Sequence, residues 1–415
     1  MDERNIGLTR REFLKDTAAV SAGVAAFGGL APARILGAND RIRLGLLGAG
    51  ERGDYVMTVF AGNPDVEVVA ICDVYEPHRL KAQLDSKAQP QLHTDYREVL
   101  DRKDVDAVLI ASPDHWHKQM LIDAVKAGKD AYCEKPIMHS IPEGVEMVNA
   151  VKESNRVVQC GMQQRSWPHW VLAKQIVDDG MLGQICFVHT YWYQNYYADR
   201  GWMSRHHVDT NALDWKKWLG SAPDQPYSDE KFAHWRFFWD FGGGILTDLL
   251  THWIDMIQWY LGQPAPQTAT TTGDLYLMKW QCPDTITAVY EYPGNTMVTF
   301  TGALGGSIDD GGVELRGTKA TLKVDRSRLA VYPEGVEWDR SDAIQEPPAQ
   351  VFVRSEHDGT IEHVRNFLDC VRSRKTPNAG IEVGFEAART SWLGNIALQR
   401  GLKTVWNASE GKVGS

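Results

Sequence analysis

The stretch at residues 242–252 reads Gly-Gly-Gly-Ile-Leu-Thr-Asp-Leu-Leu-Thr-His. Asp248 and His252 are four residues apart, a spacing that places both side chains on one face of a helix, and the glycines let a loop approach a ligand closely. Histidine is the usual general acid or base near neutral pH, and a neighbouring carboxylate can hold its tautomer and stabilise its protonated form. The pair therefore indicates proton transfer, with a buried core histidine as the alternative.

Lys135 lies in Glu134-Lys135-Pro136, directly after a short apolar run. A lysine at the end of a strand can hydrogen-bond a reacting oxygen and stabilise the charge that develops there. Oxidation of an alcohol carbon needs such a group, a base for the hydroxyl proton and a hydride acceptor. The alternative for Lys135 is a surface lysine before a turn.

The sequence Gly-Ala-Gly-Glu-Arg-Gly at residues 48–53 follows a predicted buried strand at 42–47 and opens a predicted helix. This GxGxxG pattern, in its strand–turn–helix context, predicts a dinucleotide site. Gly48 permits the tight turn, Gly50 lets the backbone approach the pyrophosphate, and Gly53 allows the helix to pack closely on the strand.

Asp73 ends the second predicted strand, 20 residues after Gly53. An acid at this place binds the ribose hydroxyls and repels a 2′-phosphate, so we expect NAD rather than NADP. A simple turn residue at the strand end is the alternative for Asp73.

Strands and helices alternate through residues 40–160, which predicts a doubly wound parallel sheet of the Rossmann type. The further strands are expected at 66–72, 107–111, 131–133 and 157–160, with a helix at 142–154. Ligands of such sheets bind beyond the carboxyl ends of the strands. The predicted cofactor-binding residues are therefore Gly48, Gly50, Glu51, Arg52, Gly53, Asp73, Ser112, Pro113, His115, Trp116, His117, Glu134, Lys135, Gln163 and Arg165.

Some of these residues have simpler interpretations. A turn and helix cap also explain residues 112–117, and Gln163 and Arg165 can be surface residues. His115, His117 and Glu134 come from scattered segments, so we predict no metal site.

Residues 161–405 are expected to form a substrate-binding α+β domain with a large, open, mainly antiparallel sheet. Its strands are predicted at 185–193, 268–277, 285–292, 297–302, 313–316 and 320–324, with helices at 357–372 and 381–400. Residues 191–240 are rich in aromatic side chains, which can stack on the C–H faces of a sugar or pack in a core. The predicted substrate-binding residues are Lys135, Trp192, His234, Trp235, Arg236, Asp248 and His252.

The first 33 residues resemble a twin-arginine signal peptide. Arg10 and Arg11 precede Phe-Leu-Lys, a mildly apolar stretch at 17–30 and an Ala-Pro-Ala site at 31–33. The apolar stretch is too short to span a membrane well. We therefore expect export in folded form to the periplasm, without stable membrane insertion. A chance arginine pair before a helix is the alternative.

The whole chain has 415 residues, a formal net charge of −10 and 43% hydrophobic residues. These values are ordinary for a globular enzyme, and the negative charge disfavours nucleic acid as a partner. None of the six cysteines forms a CxxC pair, so we expect mostly free thiols without a disulfide framework.

Residues 40–405 resemble the Gfo/Idh/MocA oxidoreductases (glucose-fructose oxidoreductase, inositol dehydrogenase and relatives). The resemblance rests on the 48–53 fingerprint, the Glu-Lys-Pro turn at 134–136 and the 242–252 stretch. It implies Lys135, Asp248 and His252 as the catalytic group, a homodimer or tetramer, and a C-terminal helix that returns to the Rossmann domain. The family often has Pro-Asn-x-x-His after the third strand; here His117 fits and Asp114 replaces the asparagine.

The expected function is NAD-dependent hydride transfer at a CH–OH carbon of a sugar, sugar derivative or polyol. Some relatives oxidise a sugar transiently and return the hydride, so a redox-neutral glycosidase or lyase stays open. A non-catalytic sugar-binding protein is disfavoured, because it does not require the Lys, Asp and His set.

Overall fold

Two β-sheets contain the strands of the described chain. The computed structural model describes residues 41–196, 208–335, 349–355, 357–407 and 411–414. The predicted signal segment at 1–33 and the aromatic residues Tyr197 and Trp202 lie outside these ranges. From Ile42 onward the chain forms one compact unit.

The first sheet has six parallel strands in the order β3-β2-β1-β4-β5-β6. Its strands are β1 (Ile42–Leu47), β2 (Val66–Cys72), β3 (Gln91–His93), β4 (Ala107–Ile110), β5 (Asp130–Cys133) and β6 (Val158–Cys160). The strand order reverses between β1 and β4, which opens a crevice at their carboxyl ends. The predicted doubly wound parallel sheet is confirmed; the short β3 was not predicted.

Helices connect these strands and cover the sheet. They are α1 (Glu51–Ala61), α2 (Glu76–Asp85), α3 (Tyr96–Leu100), α4 (Asp114–Lys126) and α5 (Ile141–Ser154). Leu44, Leu46 and Leu109 are fully buried in the core beneath α1. The core strands are continuous apolar runs because both faces of the sheet are covered.

The second sheet has ten strands in the order β14-β13-β12-β11-β7-β10-β9-β8-β15-β16. Neighbours are antiparallel except for the parallel pair β7 and β10. The strands are β7 (Ile185–Tyr193), β8 (Thr268–Asp274), β9 (Thr285–Tyr292), β10 (Thr296–Ala303), β11 (Gly311–Gly317), β12 (Ala320–Asp325), β13 (Arg328–Pro333), β14 (Val351–Arg354), β15 (Thr404–Asn407) and β16 (Lys412–Gly414). The large, mainly antiparallel sheet is confirmed, although β8 ends three residues earlier than predicted.

The remaining helices pack between the two sheets and around them. They are α6 (Pro168–Asp178), α7 (Trp215–Leu219), α8 (Asp229–Ala233), α9 (Thr251–Leu261), α10 (Thr360–Ser373) and α11 (Ile381–Arg400). Helix α10 adds Val364, Phe367 and Leu368 to the core of the first sheet, and α11 packs on α5, α9 and β8. The C-terminal part of the chain therefore fixes the second sheet against the first.

All six cysteines lie in the described ranges and are free thiols. Within these ranges, no helix has the length and apolar character that crossing a membrane requires.

Candidate active site

A cavity of about 780 Å³ extends from the glycine loop after β1 to the start of α9. It lies along the carboxyl ends of the parallel strands and is closed by residues of the second sheet. Its size suits a small-molecule ligand. Sixteen of the predicted site residues line it: Gly48, Gly50, Glu51, Arg52, Asp73, Ser112, Pro113, Trp116, Glu134, Lys135, Gln163, Trp192, Trp235, Arg236, Asp248 and His252.

The three glycines of the 48–53 loop serve two different purposes. The fold requires glycine at positions 48 and 53, whereas the glycine at position 50 leaves space for a ligand. Gly48 has φ +91°, and a Cβ there would lie 2.6 Å from the Ser112 nitrogen. A Cβ on Gly53 would lie 2.0 Å from the Gly48 carbonyl oxygen, so this residue packs the helix on the loop. At Gly50 the nearest atom is 3.9 Å away, on His78. Gly50 therefore leaves the space before the N-terminus of α1 open, where N–H groups bind anions.

Asp73 is held at the end of β2 by backbone donors. Its Oδ2 accepts a hydrogen bond from Ala49 N at 2.7 Å, and its Oδ1 accepts one from Tyr75 N at 2.8 Å. Burial acts to raise the pKa of Asp73, but His78 and these N–H donors outweigh it and bring the pKa below its usual range. Asp73 therefore stays charged in the cavity wall.

Three predicted cofactor contacts have polar atoms that the described protein leaves unsatisfied. Ser112 Oγ, Arg52 Nη2 and Gln163 Oε1 are buried and have no hydrogen-bond partner among the described residues. Buried polar atoms of this kind are rare in proteins unless a ligand or water completes them. Together with the open N-terminus of α1 and the charged Asp73, they fit a bound dinucleotide.

Lys135 and Asp248 meet in the inner part of the cavity. Lys135 follows β5, and Asp248 lies in a π-helical turn, Leu246–Leu250, directly before α9. Lys135 Nζ lies 2.5 Å from Asp248 Oδ1 and 2.9 Å from the Asp248 carbonyl oxygen, and Arg236 Nε lies 3.3 Å from the same Oδ1. Burial acts to raise the pKa of Asp248, but the two cations outweigh it and lower the pKa. The carboxylate is ionised and holds Lys135 in place.

His252 has a different partner from the one that the sequence predicts. Its Nδ1 lies 3.3 Å from Gln164 Oε1, and its ring stacks on Trp192 with centroids 5.9 Å apart. The prediction that Asp248 holds the His252 tautomer is wrong, because Lys135 and Arg236 take that carboxylate. An amide oxygen only accepts, so Nδ1 carries the hydrogen and Nε2 keeps its lone pair.

Burial, followed by the charges of Lys135 and Arg326, lowers the pKa of His252 well below its usual value. The ring is therefore neutral near pH 7. A neutral imidazole beside an ammonium group is equipped to accept a proton from a hydroxyl whose oxygen the ammonium binds.

Two family models match the chain, one in the part that forms the first sheet and one in the part that forms the second. Residues 42–162 match an oxidoreductase family model with an NAD-binding Rossmann fold, named GFO_IDH_MocA. Residues 217–323 match the GFO/IDH/MocA C-terminal domain. The chain belongs to the Gfo/Idh/MocA oxidoreductase family. It is thus an NAD-dependent oxidoreductase, and the glycine loop, Asp73, Ser112 and Gln163 are the residues that would hold NAD.

Known members of the family resemble the chain to different extents. An uncharacterised oxidoreductase, YrbE, of Bacillus subtilis is 26% identical over 87% of this chain and 96% of its own length. Inositol 2-dehydrogenase 1 of Saccharopolyspora erythraea is 32% identical, over 36% of this chain and 44% of its own length. The solved structure of levoglucosan dehydrogenase with NADH and levoglucosan has a TM-score of 0.71 at 19% identity, covering 88% of this chain and 98% of that one.

In this oxidoreductase, His115 and His117 lie behind the cavity and outside its lining. His115 Nε2 contacts the Trp218 carbonyl oxygen at 3.1 Å, and its ring packs on Phe241. The His117 ring nitrogens contact the carbonyl oxygens of Ser112 and Pro136 at 2.9 and 2.8 Å. His117 therefore ties the loop after β4 to the loop that carries Lys135, which is a positioning role rather than the predicted direct cofactor contact.

Arg165 and His234 are also outside the lining. Arg165 forms an ion pair with the buried Asp255 at 2.8 Å, and the His234 ring packs against Trp280. Gly53 contributes through the close packing described above. Among the described residues, no group of three or more histidine, cysteine or acidic side chains is arranged to hold a metal ion.

Several residues in the cavity wall or directly behind it were absent from the predicted site. Gln164 is the His252 partner, although its neighbours Gln163 and Arg165 were the residues chosen from the sequence. Asp114 lies in the cavity wall, where burial and then Asp248 raise its pKa well above the usual value. Tyr196 and Arg326 also line the cavity. Arg326 follows β12 in a short turn, and its local sequence carries no signal that separates it from a surface residue.

Proposed function

We propose that this oxidoreductase oxidises or reduces a CH–OH carbon of a sugar, sugar derivative or polyol. The observation that carries the proposal is the Lys135–Asp248 ion pair beside the neutral His252, in the same cavity as the glycine loop. NAD, when bound, supplies the hydride acceptor or donor. The protein must then bind the alcohol, move its proton and exclude water.

His252 and Lys135 have different roles at the reacting oxygen. His252 Nε2 accepts the hydroxyl proton in the oxidative direction, because its neutral form is the form present. The Lys135 ammonium group hydrogen-bonds the same oxygen and stabilises its negative charge. Asp248 positions Lys135, and the burial of all three groups strengthens these interactions by excluding water.

The substrate class follows from the other walls of the cavity. Trp192 and Trp235 provide aromatic faces of the kind that pack on apolar C–H surfaces, and Arg236 and His252 provide polar groups beside them. A ligand with both C–H faces and hydroxyl groups matches this lining. The names of the inositol and levoglucosan dehydrogenases among the relatives support the same class.

The test is an absorbance trace of reduced nicotinamide with product analysis, using the purified protein with NAD and a panel of sugars, polyols and glycosides. Net accumulation of NADH with a keto product is the expected result. Glycoside cleavage that depends on bound NAD but leaves no net NADH would replace the proposal with the redox-neutral glycosidase or lyase. The variant Lys135→Met is the inactive control.

We also propose that residues 1–33 direct export by the twin-arginine route, so that the enzyme acts in the periplasm. The support is the Arg10-Arg11 pair and the Ala-Pro-Ala site. Cell fractionation of the full chain and of an Arg10→Lys/Arg11→Lys double variant tests this. Retention of only the double variant in the cytoplasm is expected, and equal distribution of the two chains would contradict the proposal.

A homo-oligomer is proposed through the outer face of the ten-stranded sheet. His189, Tyr191 and Tyr193 form a stacked row there, and Met297 on neighbouring β10 is exposed. Light scattering on the purified protein tests the assembly, and Met297→Glu should dissociate it. A wild-type mass equal to one chain would overturn the proposal.

A further inference from the structure

Arg326 is a cavity residue that neither the fingerprint nor the proposed proton transfer uses. It follows β12, and its guanidinium carbon lies 4.4 Å from the ring centroid of Trp192 and 5.8 Å from that of Trp253. Trp192 also stacks on the His252 ring, and the Arg326 charge contributes to lowering the pKa of His252. Arg326 therefore lies close to the reacting groups and is only partly exposed, whereas the nearby Arg328 is exposed.

The other cations of the inner cavity have carboxylate partners. Lys135 and Arg236 share Asp248, and Arg52 Nε bonds Glu134 Oε1 at 2.8 Å. Arg326 makes no hydrogen bond and no ion pair within 4.0 Å to any part of the chain that the structure describes, and its guanidinium group lies over the rings of Trp192 and Trp253. Aromatic faces satisfy its charge in part, but they leave the five N–H donors of a guanidinium without acceptors.

The cavity itself is where an acceptor for Arg326 can enter. Burial lowers the pKa of Arg326, while Asp310 opposes that effect from beyond ion-pair distance. Burying a guanidinium group without a paired anion costs free energy in the free protein. A ligand that brings the anion offsets this cost. The planar fork of arginine matches the oxygens of carboxylate, sulfate and phosphate groups, often through two parallel hydrogen bonds.

We propose that Arg326 binds an anionic oxygen group of the substrate, so that the substrate is a sugar carrying a carboxylate, sulfate or phosphate. This inference rests on the proposed function and names its substrate class. Trp192 contacts both Arg326 and His252, so one sugar ring can lie against these groups with its anion on Arg326 and a hydroxyl at His252 and Lys135. Arg326 then sets which carbon reaches the catalytic pair.

The experiment measures binding and turnover separately on the NAD-loaded protein. D-glucuronate, glucose 6-sulfate, glucose 6-phosphate and D-glucose are titrated while tryptophan fluorescence is followed, and the same four sugars are then assayed for NADH formation. At least one anionic sugar should bind about tenfold or more tightly than glucose. Which of the three binds best distinguishes carboxylate from sulfate and phosphate.

Variants of Arg326 test whether this residue is the source of the preference for anionic over neutral sugars. Arg326→Gln should weaken binding of the preferred anionic sugar by about ten- to a hundredfold, in line with the loss of a charge-assisted hydrogen bond. Binding of glucose should weaken far less than binding of the anionic sugar, and Arg326→Lys should restore part of the preference. Arg316→Gln, at an exposed arginine of the same sheet, is the matched control.

Equal binding of anionic and neutral sugars by the wild type would overturn the inference, even if Arg326→Gln failed to fold. So would equal weakening of anionic and neutral sugars in a folded variant. If an anionic sugar bound selectively through Arg326 without any redox or cleavage reaction, the Arg326 inference would stand and the proposed function would fail.

Discussion

Lys135 Nζ lies 2.5 Å from Asp248 Oδ1, although 113 residues separate them in the chain. The contact joins the end of strand β5 of the parallel sheet to the turn before α9. It places one cation and one anion, both largely buried, beside the neutral His252. The ion pair takes part in the proposed reaction and also stabilises the folded protein. Mutations can separate these two contributions.

Lys135→Met should lower kcat by about 10²- to 10⁴-fold, because the reacting oxygen loses its hydrogen-bond donor and its positive partner. NAD affinity should change little, since the proposed cofactor contacts are otherwise intact. Steady-state kinetics and an NAD titration measure the two effects. Lys126→Met, at an exposed lysine of α4, is the control. Turnover near the wild-type level in Lys135→Met would remove this residue from the catalytic group.

Asp248→Asn should lower the free energy of unfolding by about 3–5 kcal/mol, because it leaves two buried cations without their carboxylate. Urea denaturation measures the change. Asp178→Asn breaks an exposed i,i+4 pair with Lys174 and should cost less than about 1 kcal/mol. Similar losses in the two variants would show that the inner ion pair contributes no more than a surface pair.

His363 should make the protein sensitive to acid. Burial, opposed by its contact with the Cys160 carbonyl oxygen, lowers the pKa of His363 from 6.5 to about 4. Between pH 6.5 and 4 the unfolded chain binds a proton that the folded chain does not. The stabilisation is therefore complete above pH 6.5 and is lost as the pH falls, by up to about 1.4 kcal/mol for each pH unit.

The measurement is urea denaturation at several pH values for the wild type, His363→Gln and the exposed control His357→Gln. His363→Gln should flatten the slope of unfolding free energy against pH, even though it lowers the stability near pH 7. His115, His169 and His252 also have lowered pKa values, so part of the slope should persist. An unchanged slope in His363→Gln would contradict the prediction.

Gly50 and Gly53 should respond differently to alanine. Gly53→Ala brings a Cβ within 2.0 Å of the Gly48 carbonyl oxygen, so the loop must shift and the melting temperature should fall by several degrees. Gly50→Ala meets no protein atom closer than 3.9 Å and should keep the wild-type melting temperature in the absence of NAD. Its NAD affinity should nevertheless fall about tenfold or more, because the Cβ occupies the approach to α1.

Thermal denaturation and NAD titration of both variants test this difference. Unchanged NAD affinity in a folded Gly50→Ala protein would place the dinucleotide elsewhere. Wild-type stability of Gly53→Ala would show that the loop relaxes without cost.

Much of the first sheet and its loop is encoded locally. The apolar run at 42–47 and the glycines at 48, 50 and 53 predict a strand, a turn and a helix, because burial on both faces and backbone freedom are properties of adjacent residues. The predicted role of Asp73 follows from its spacing to the same loop. Helix α11 matches the predicted bounds 381–400, since its apolar pattern and the glycines beside its ends mark where it begins and ends.

The partners of the polar side chains were decided only by the tertiary structure. The spacing of Asp248 and His252 suggested a pair within one helix, but the fold brings Lys135 to Asp248 and Gln164 to His252 from other elements. The sequence around Arg326 does not distinguish it from a surface arginine. Its turn becomes part of the cavity only because β12 and β13 join the second sheet. Sequence spacing fixes which side chains share a face, whereas charge pairing and burial depend on segments that meet only after folding.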